Sequence, residues 1–149
     1  MFSKVSAIFA LTSVALAIPA PSTPTDKYFW TVHNLSNKCT AATCYYDFNV
    51  TAEAGPNSAP SFSAYGCEGT NVQGEFKPCT TLGIDIPGEV TTNEESAIGG
   101  TAFNVFVQFK YKAGNTQYIV TGNETVPKGA DAREFKIYAS QIAAVPDKA

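Results

Sequence analysis

The chain has 149 residues, 44 % of them hydrophobic, 12 % aromatic and 15 % charged, which excludes a disordered, solvated chain and predicts one folded domain. Ten Lys and Arg against 13 Asp and Glu give a net charge of -3, so the basic surface of a nucleic-acid-binding protein is excluded. With one His, the chain is poor in the side chains that perform general acid–base chemistry.

The N-terminus has the pattern of a secretory signal peptide. Lys4 precedes an apolar run over residues 5–17, which is shorter than the ~20 residues of a membrane span. We expect cleavage after Ala17, with Ala20 as the alternative, so the signal peptide covers residues 1–17. Residues 18–26 then form a Pro-rich extended tether, and 27–149 form the domain of a secreted, extracellular protein.

Four cysteines in an exported chain indicate two disulfides. Three pairings are open to Cys39, Cys44, Cys67 and Cys79. We favour Cys39–Cys44 and Cys67–Cys79, because each pair brackets a hairpin or short loop. A zinc site is the rival interpretation, but the spacing matches no usual zinc finger.

Three sequons indicate an extracellular glycoprotein. They begin at Asn34, Asn49 and Asn123, and exposed sequons in exported eukaryotic chains are often modified. They carry no information about activity.

Alternation of apolar and polar residues predicts strands after residue 27, and no helical periodicity competes with it. The expected strands are 28–33, 44–51, 61–67, 75–79, 103–111, 117–121 and 135–139. Residues 34–43 and 113–115 are predicted to be turns. Residues 80–99, with Asp85, Glu89, Glu94 and Glu95, are predicted to form a solvated acidic loop. The fold class is therefore all-β, a compact antiparallel β-barrel or β-sandwich of about seven or more strands.

No motif predicts catalysis, a metal site or a cofactor. His33 is expected on an outward strand face as a plain surface histidine, and no nucleophile elbow accompanies it. The enzyme alternative is a small secreted hydrolase. A ribonuclease type would use His33 and Arg133 together with a Glu, and a glycosidase type would use a pair of carboxylates.

Outward aromatic side chains suggest an interaction surface. Phe106 lies on the outward face of the strongest strand, and Tyr45 and Tyr138 are also expected to project outward. If neighbouring strands bring them together, they form an apolar patch suited to a partner or a dimer.

The order of strand motifs resembles the small secreted fungal proteins related to the major Alternaria allergen. The resemblance runs through 28–32, 46–51, 62–67, 118–121 and 135–138, and covers nearly the whole mature chain. Cys67 and Cys79 correspond to the central disulfide of that family. No Cys lies in 18–38 or in 126–140, which argues against a disulfide-linked dimer and leaves a non-covalent homodimer open.

This resemblance implies a compact β-barrel without catalysis. Family members are described as allergens, elicitors of plant cell death or effectors that bind plant defence proteins, and some carry small flavonoid-type ligands. The expected function is therefore that of a secreted fungal effector or elicitor with a role in virulence. Its expected partner is a host extracellular defence-type protein or a small aromatic ligand. Neither a nucleic acid nor a membrane is expected as a partner. A carrier or cell-wall structural protein is a further alternative.

Overall fold

The computed structural model describes residues 28–80, 88–96, 100–129 and 133–146. The expected signal peptide and tether lie outside these residues, and within them no helix is long and apolar enough to cross a membrane. The described residues form an eight-stranded antiparallel sheet in the order β3-β2-β1-β8-β7-β6-β5-β4, curled into a nearly closed barrel. The all-β prediction is confirmed. The strands are β1 Phe29–Cys39, β2 Cys44–Ala52, β3 Phe62–Thr70, β4 Lys77–Pro78, β5 Gly88–Ser96, β6 Ala102–Ala113, β7 Thr116–Pro127 and β8 Arg133–Pro146.

The barrel core is built from the inward faces of the strands. β6 alternates buried and half-buried residues along most of its length, as expected of a strand with one face on the core. Aromatic rings fill much of the interior, with Phe109 4.5 Å from Phe62 and 5.0 Å from Tyr111 between ring centroids. The predicted inward residues of three strands are buried: Trp30, Val32, Tyr46, Phe48, Val50, Phe103, Val105, Val107, Phe109 and Tyr111.

The predicted acidic loop is wrong in its second half, because β5 occupies Gly88–Ser96. Val90, Thr92 and Glu94 lie opposite the core residues Phe109, Val107 and Val105 of β6. Two of these three inward positions carry polar side chains, so apolar alternation could not reveal the strand. Glu94 is 1 % exposed and is not a solvated acid, whereas Asp85 lies outside the described residues.

Two edges of the sheet, β3 and β4, are joined covalently. The Cys67–Cys79 disulfide links β3 to the residue that follows β4. The backbone N–H of Thr80 donates to the carbonyl of Gly66 at 3.3 Å, beside the bridge. Gly66 has a φ of +59°, and a Cβ there would lie 3.2 Å from Thr80 Cβ, so a glycine allows this close approach. The disulfide therefore closes the barrel where strand pairing is shortest.

The remaining connections are hairpins and one long-range pairing. β6 and β7 are joined by the predicted turn, where Gly114 has a φ of +59°. β1 continues to Cys39, beyond the predicted start of the turn, and Cys39 lies opposite Cys44 of β2. β1 also pairs with β8, with Phe29 opposite Tyr138, so the first and last strands lie side by side.

Candidate functional site

An open groove lies on the outer face of β1, β2 and β3, beside β4. We call it the Tyr45 groove; it has a volume of about 600 Å³. Strand register builds its floor, because Lys38, Tyr45 and Thr70 lie opposite one another across β1, β2 and β3. In the next outward row Asp47 lies opposite Glu68. The side chains that give the groove its chemistry are Lys38, Tyr45, Asp47, Glu68, Thr70 and Lys77.

The groove presents an aromatic ring between charges of both signs. Tyr45 is 55 % exposed, so its ring is open to a ligand. The ion pairs found among the described residues join His33 to Glu134 and Lys110 to Glu89, and they use none of the four charged groove side chains. Asp47 and Glu68 repel each other across the strands. A ligand that brings a positive group to this pair would relieve the repulsion.

A polar network supports the groove from below. The hydroxyl of Tyr46 lies 3.3 Å from Thr92 Oγ1 and accepts a hydrogen bond from Gln73 Nε2 at 3.1 Å. Gln73 also donates to the carbonyl of Glu75 at 2.8 Å and to the carbonyl of Thr92 at 3.4 Å, and the bond to Thr92 holds the segment after β3 against β5. Burial raises the pKa of Tyr46. The floor is therefore pre-formed, a property that lowers the entropy lost on binding.

A buried carboxyl group lies inside the barrel on β5. Asn37 Nδ2 donates to Glu94 Oε2 at 3.1 Å, and Glu94 Oε1 has no hydrogen-bond partner. Burial raises the pKa of Glu94 to about 7, against smaller opposing effects of the Asn37 hydrogen bond and the Lys128 charge. Glu94 does not line the groove, so this carboxyl is a feature of the core.

His33 forms a second candidate site on the outer face of β1. Its Nδ1 lies 3.0 Å from Glu134 Oε2 of β8, and its Nε2 lies 2.9 Å from Thr51 Oγ1 of β2. Because a carboxylate only accepts, Nδ1–H donates to Glu134, and in the neutral imidazole Nε2 then accepts from the Thr51 hydroxyl. This order of acid, imidazole and hydroxyl is the one that activates a hydroxyl nucleophile.

Sequence reasoning missed the partners of His33. Glu134 is 101 residues away along the chain, and no motif signals a contact that arises only when β1 pairs with β8. The backbone of Arg133 lies opposite Leu35. The His33 side chain is 33 % exposed and that of Glu134 is 70 % exposed, so the group is open to solvent.

The three outward aromatic side chains expected to form one patch are divided between two regions. Tyr45 belongs to the groove on β2, four strands from Phe106 on β6 in the sheet order. Phe106 and Tyr138 lie on strands separated only by β7. Tyr45 and Tyr138 lie opposite Lys38 and Phe29, near the two ends of β1. At ~3.3 Å per residue, this places them roughly 25–30 Å apart along the strand.

The disulfides and sequons have distinct surroundings. The described structure contains the pairing we favoured, Cys39–Cys44 and Cys67–Cys79. Asn34 is exposed with a φ of +55°, Asn49 is half-buried with Oδ1 accepting from the Gly66 N–H at 3.2 Å, and Asn123 is exposed. Glycosylation at these sites stays a prediction.

Comparison with known proteins identifies no relative. No family model, curated protein or solved structure matches this chain. The resemblance to the Alternaria allergen family therefore stays a prediction from the residues.

Proposed function

We propose that this chain is a secreted, non-catalytic binding protein of the fungal effector or elicitor type, which engages a host extracellular protein through the Tyr45 groove. Two disulfides support an extracellular location, because such bridges persist in oxidising compartments. The observation that carries the proposal is the groove itself, where an exposed Tyr45 lies among four charged side chains that form no ion pair within the described residues.

The groove favours a peptide segment of mixed charge as its occupant. Lys38 and Lys77 would attract acidic side chains, whereas Asp47 and Glu68 would attract a basic one. Tyr45 supplies a rigid aromatic anchor, the kind of side chain that often contributes most of the binding energy of an interface. Charge complementarity then determines which segment binds, and the ring supplies affinity.

The test is capture from host extracellular fluid with the purified, disulfide-bonded chain, followed by titration calorimetry with the captured partner. Tyr45→Ser should weaken binding at least tenfold, because truncating an interface anchor costs about 2 kcal/mol or more. Tyr138→Ser is the matched control, since Tyr138 is 49 % exposed and lies outside the groove. Equal affinity of the two variants would contradict the proposal.

Charge reversal provides an independent check of the same groove. Lys38→Glu should lower the rate of association with the partner and make that rate less dependent on salt concentration. Lys112→Glu, on β6 outside the groove, provides the comparison. If a small aromatic ligand is the true occupant, Tyr45-dependent binding will appear in ligand screens with no protein captured, and the protein-partner part of the proposal fails.

A second candidate function is hydrolysis, favoured by the contacts of His33 with Glu134 and Thr51. A shallow cavity of about 150 Å³ beside Thr51, lined in part by Phe29 and Ala52, could receive a small acyl group. Chromogenic esters provide the test: turnover abolished by both His33→Ala and Thr51→Val would establish catalysis. If the unmodified protein hydrolyses the esters no faster than buffer alone, hydrolysis is excluded as a candidate function.

A further inference from the structure

Two aromatic side chains flank a sequon asparagine on the outer face of the barrel. Phe106 of β6 lies opposite Asn123 of β7. On the other side of β7, the pairing with β8 ends at Gly122, which lies opposite Ala139, so Asn123 and Tyr138 are the next residues of the two strands after that last pair. With paired strands ~4.8 Å apart, Phe106 and Asn123 are direct neighbours on the outer face. We call these two residues, together with Tyr138 just after the last β7–β8 pair, the aromatic row.

Partner side chains hold both rings in place. Phe106 packs edge-on against Phe76, with 6.4 Å between ring centroids. Tyr138 packs against Phe29 at 5.8 Å, and the Nζ of Lys136 lies 4.0 Å from the centre of the Phe29 ring. The aromatic row is therefore ordered before anything binds to it, and a bound group would lose little entropy to side-chain ordering.

Asn123 is the sequon asparagine best placed to use this row. It is exposed, and its sequon hydroxyl, Thr125 Oγ1, donates to Asn104 Oδ1 at 2.7 Å on the same outer face. Asn34 lies in an irregular stretch of β1, and the amide oxygen of Asn49 is held against β3. The strand register pairs neither of these two with a Phe, Tyr or Trp, whereas it pairs Asn123 with Phe106.

We propose that Asn123 carries an N-linked glycan whose first sugars pack against Phe106 and Tyr138. The bond forms between Asn123 Nδ2 and the anomeric carbon of an oligosaccharide as the amide loses a proton. The bond from that carbon to a lipid diphosphate donor breaks, and the lipid diphosphate leaves. The carbon-bound hydrogens of a pyranose face are apolar and slightly positive, so they complement an aromatic face. The protein's own glycan thus covers the aromatic row.

This inference rests on the export part of the proposed function and not on the Tyr45 groove. The glycan makes Phe106 and Tyr138 unavailable as a partner surface, so that of the three outward aromatic residues expected from the sequence Tyr45 is left for one. Loss of the glycan would expose the row and promote association between copies of the chain.

The experiment uses the full chain secreted from a fungal expression host. Glycopeptide mass spectrometry should find Asn123 occupied, and unoccupied Asn123 would overturn the proposal. Enzymatic trimming of the glycan should lower the melting temperature by about 4 °C and increase the fluorescence of a hydrophobic dye. Asn123→Gln should reproduce both changes, whereas Asn34→Gln is the control that removes a glycan outside the row.

A comparison of four proteins tests the packing itself: the unmodified chain and Phe106→Ser, each with its glycan intact and with the glycan trimmed. Removing the ring should reduce the melting-temperature difference between glycosylated and trimmed protein to less than half, and Tyr138→Ser is the second variant if the first does not fold. An undiminished difference in these variants would overturn the packing. Partner capture through Tyr45 should persist in Asn123→Gln, so failure of the glycan proposal is distinguishable from failure of the proposed function.

Discussion

At the scale of single residues, polar side chains in unexpected places determine much of what the protein can do. Glu94 lies in the barrel interior with one hydrogen bond from Asn37, and His33 joins residues from two neighbouring strands. Glu94 lies in an unbroken run of polar residues, 91–96, which shows no alternation and so predicts no face. The alternation around His33 predicts its face but not its partners. Their roles follow from the strands that pair beside them.

Glu94 should make the stability of the protein depend on pH. Burial raises its pKa from 4.5 to about 7, so the folded chain binds this proton more tightly than the unfolded chain. The resulting stability is present below pH 4.5 and is lost as pH rises to about 7. The loss is up to about 3 kcal/mol. Urea unfolding at several pH values should show this decline.

Glu94→Gln should abolish that decline and be more stable than the unmodified protein at pH 8, because burial costs a neutral amide less free energy than an ionised carboxylate. The neighbouring Glu95 is exposed, so Glu95→Gln is a matched control and should keep the pH profile. If the Glu94→Gln protein is less stable at pH 8, or keeps the decline, the assignment is contradicted.

At the scale of secondary-structure elements, the two disulfides hold different junctions. Cys39–Cys44 closes a β1–β2 hairpin that is already paired in register. Cys67–Cys79 joins the edges of the sheet, where β4 contributes only Lys77–Pro78. The second bridge therefore stabilises a contact that strand pairing by itself supports weakly.

Removal of the two bridges should have unequal costs. The sequence separations of 5 and 12 residues predict losses of about 2 kcal/mol for Cys39→Ser with Cys44→Ser and about 3 kcal/mol for Cys67→Ser with Cys79→Ser. Denaturant titration measures both double variants. Hydrogen exchange should also show loss of protection at Cys79 and Thr80 in the second variant only, and equal exchange in the two variants would contradict the closing role.

At the scale of the whole molecule, the barrel depends on pairing between distant parts of the chain. β1 pairs with β2 through a short turn, but it also pairs with β8, more than a hundred residues later. Contacts of this kind require a large loop to close before they become favourable, so they slow folding. The barrel should therefore close late.

Trp30 offers a direct probe of that closure. It is the only tryptophan, it is fully buried, and it lies opposite Ile137 of β8. Stopped-flow refolding with disulfides intact should recover its native fluorescence on a time scale of ~10 ms to seconds, as in other β-barrels of non-local topology. Recovery within microseconds would show that Trp30 is buried before β8 pairs, contrary to this expectation.

The sequence by itself determined the all-β class, the core-facing residues of β1, β2 and β6, and the β6–β7 turn, because these depend on local alternation and short separations along the chain. It favoured the disulfide pairing that the structure contains but left the other two pairings open. Only the tertiary structure decided that 88–96 is a strand, that Glu94 is buried, that Thr51 and Glu134 meet at His33, and that Tyr45 lies apart from Phe106. Each of these depends on which strands become neighbours in the barrel. Strand order and register are properties of the closed sheet, and the residues of one strand do not encode them alone.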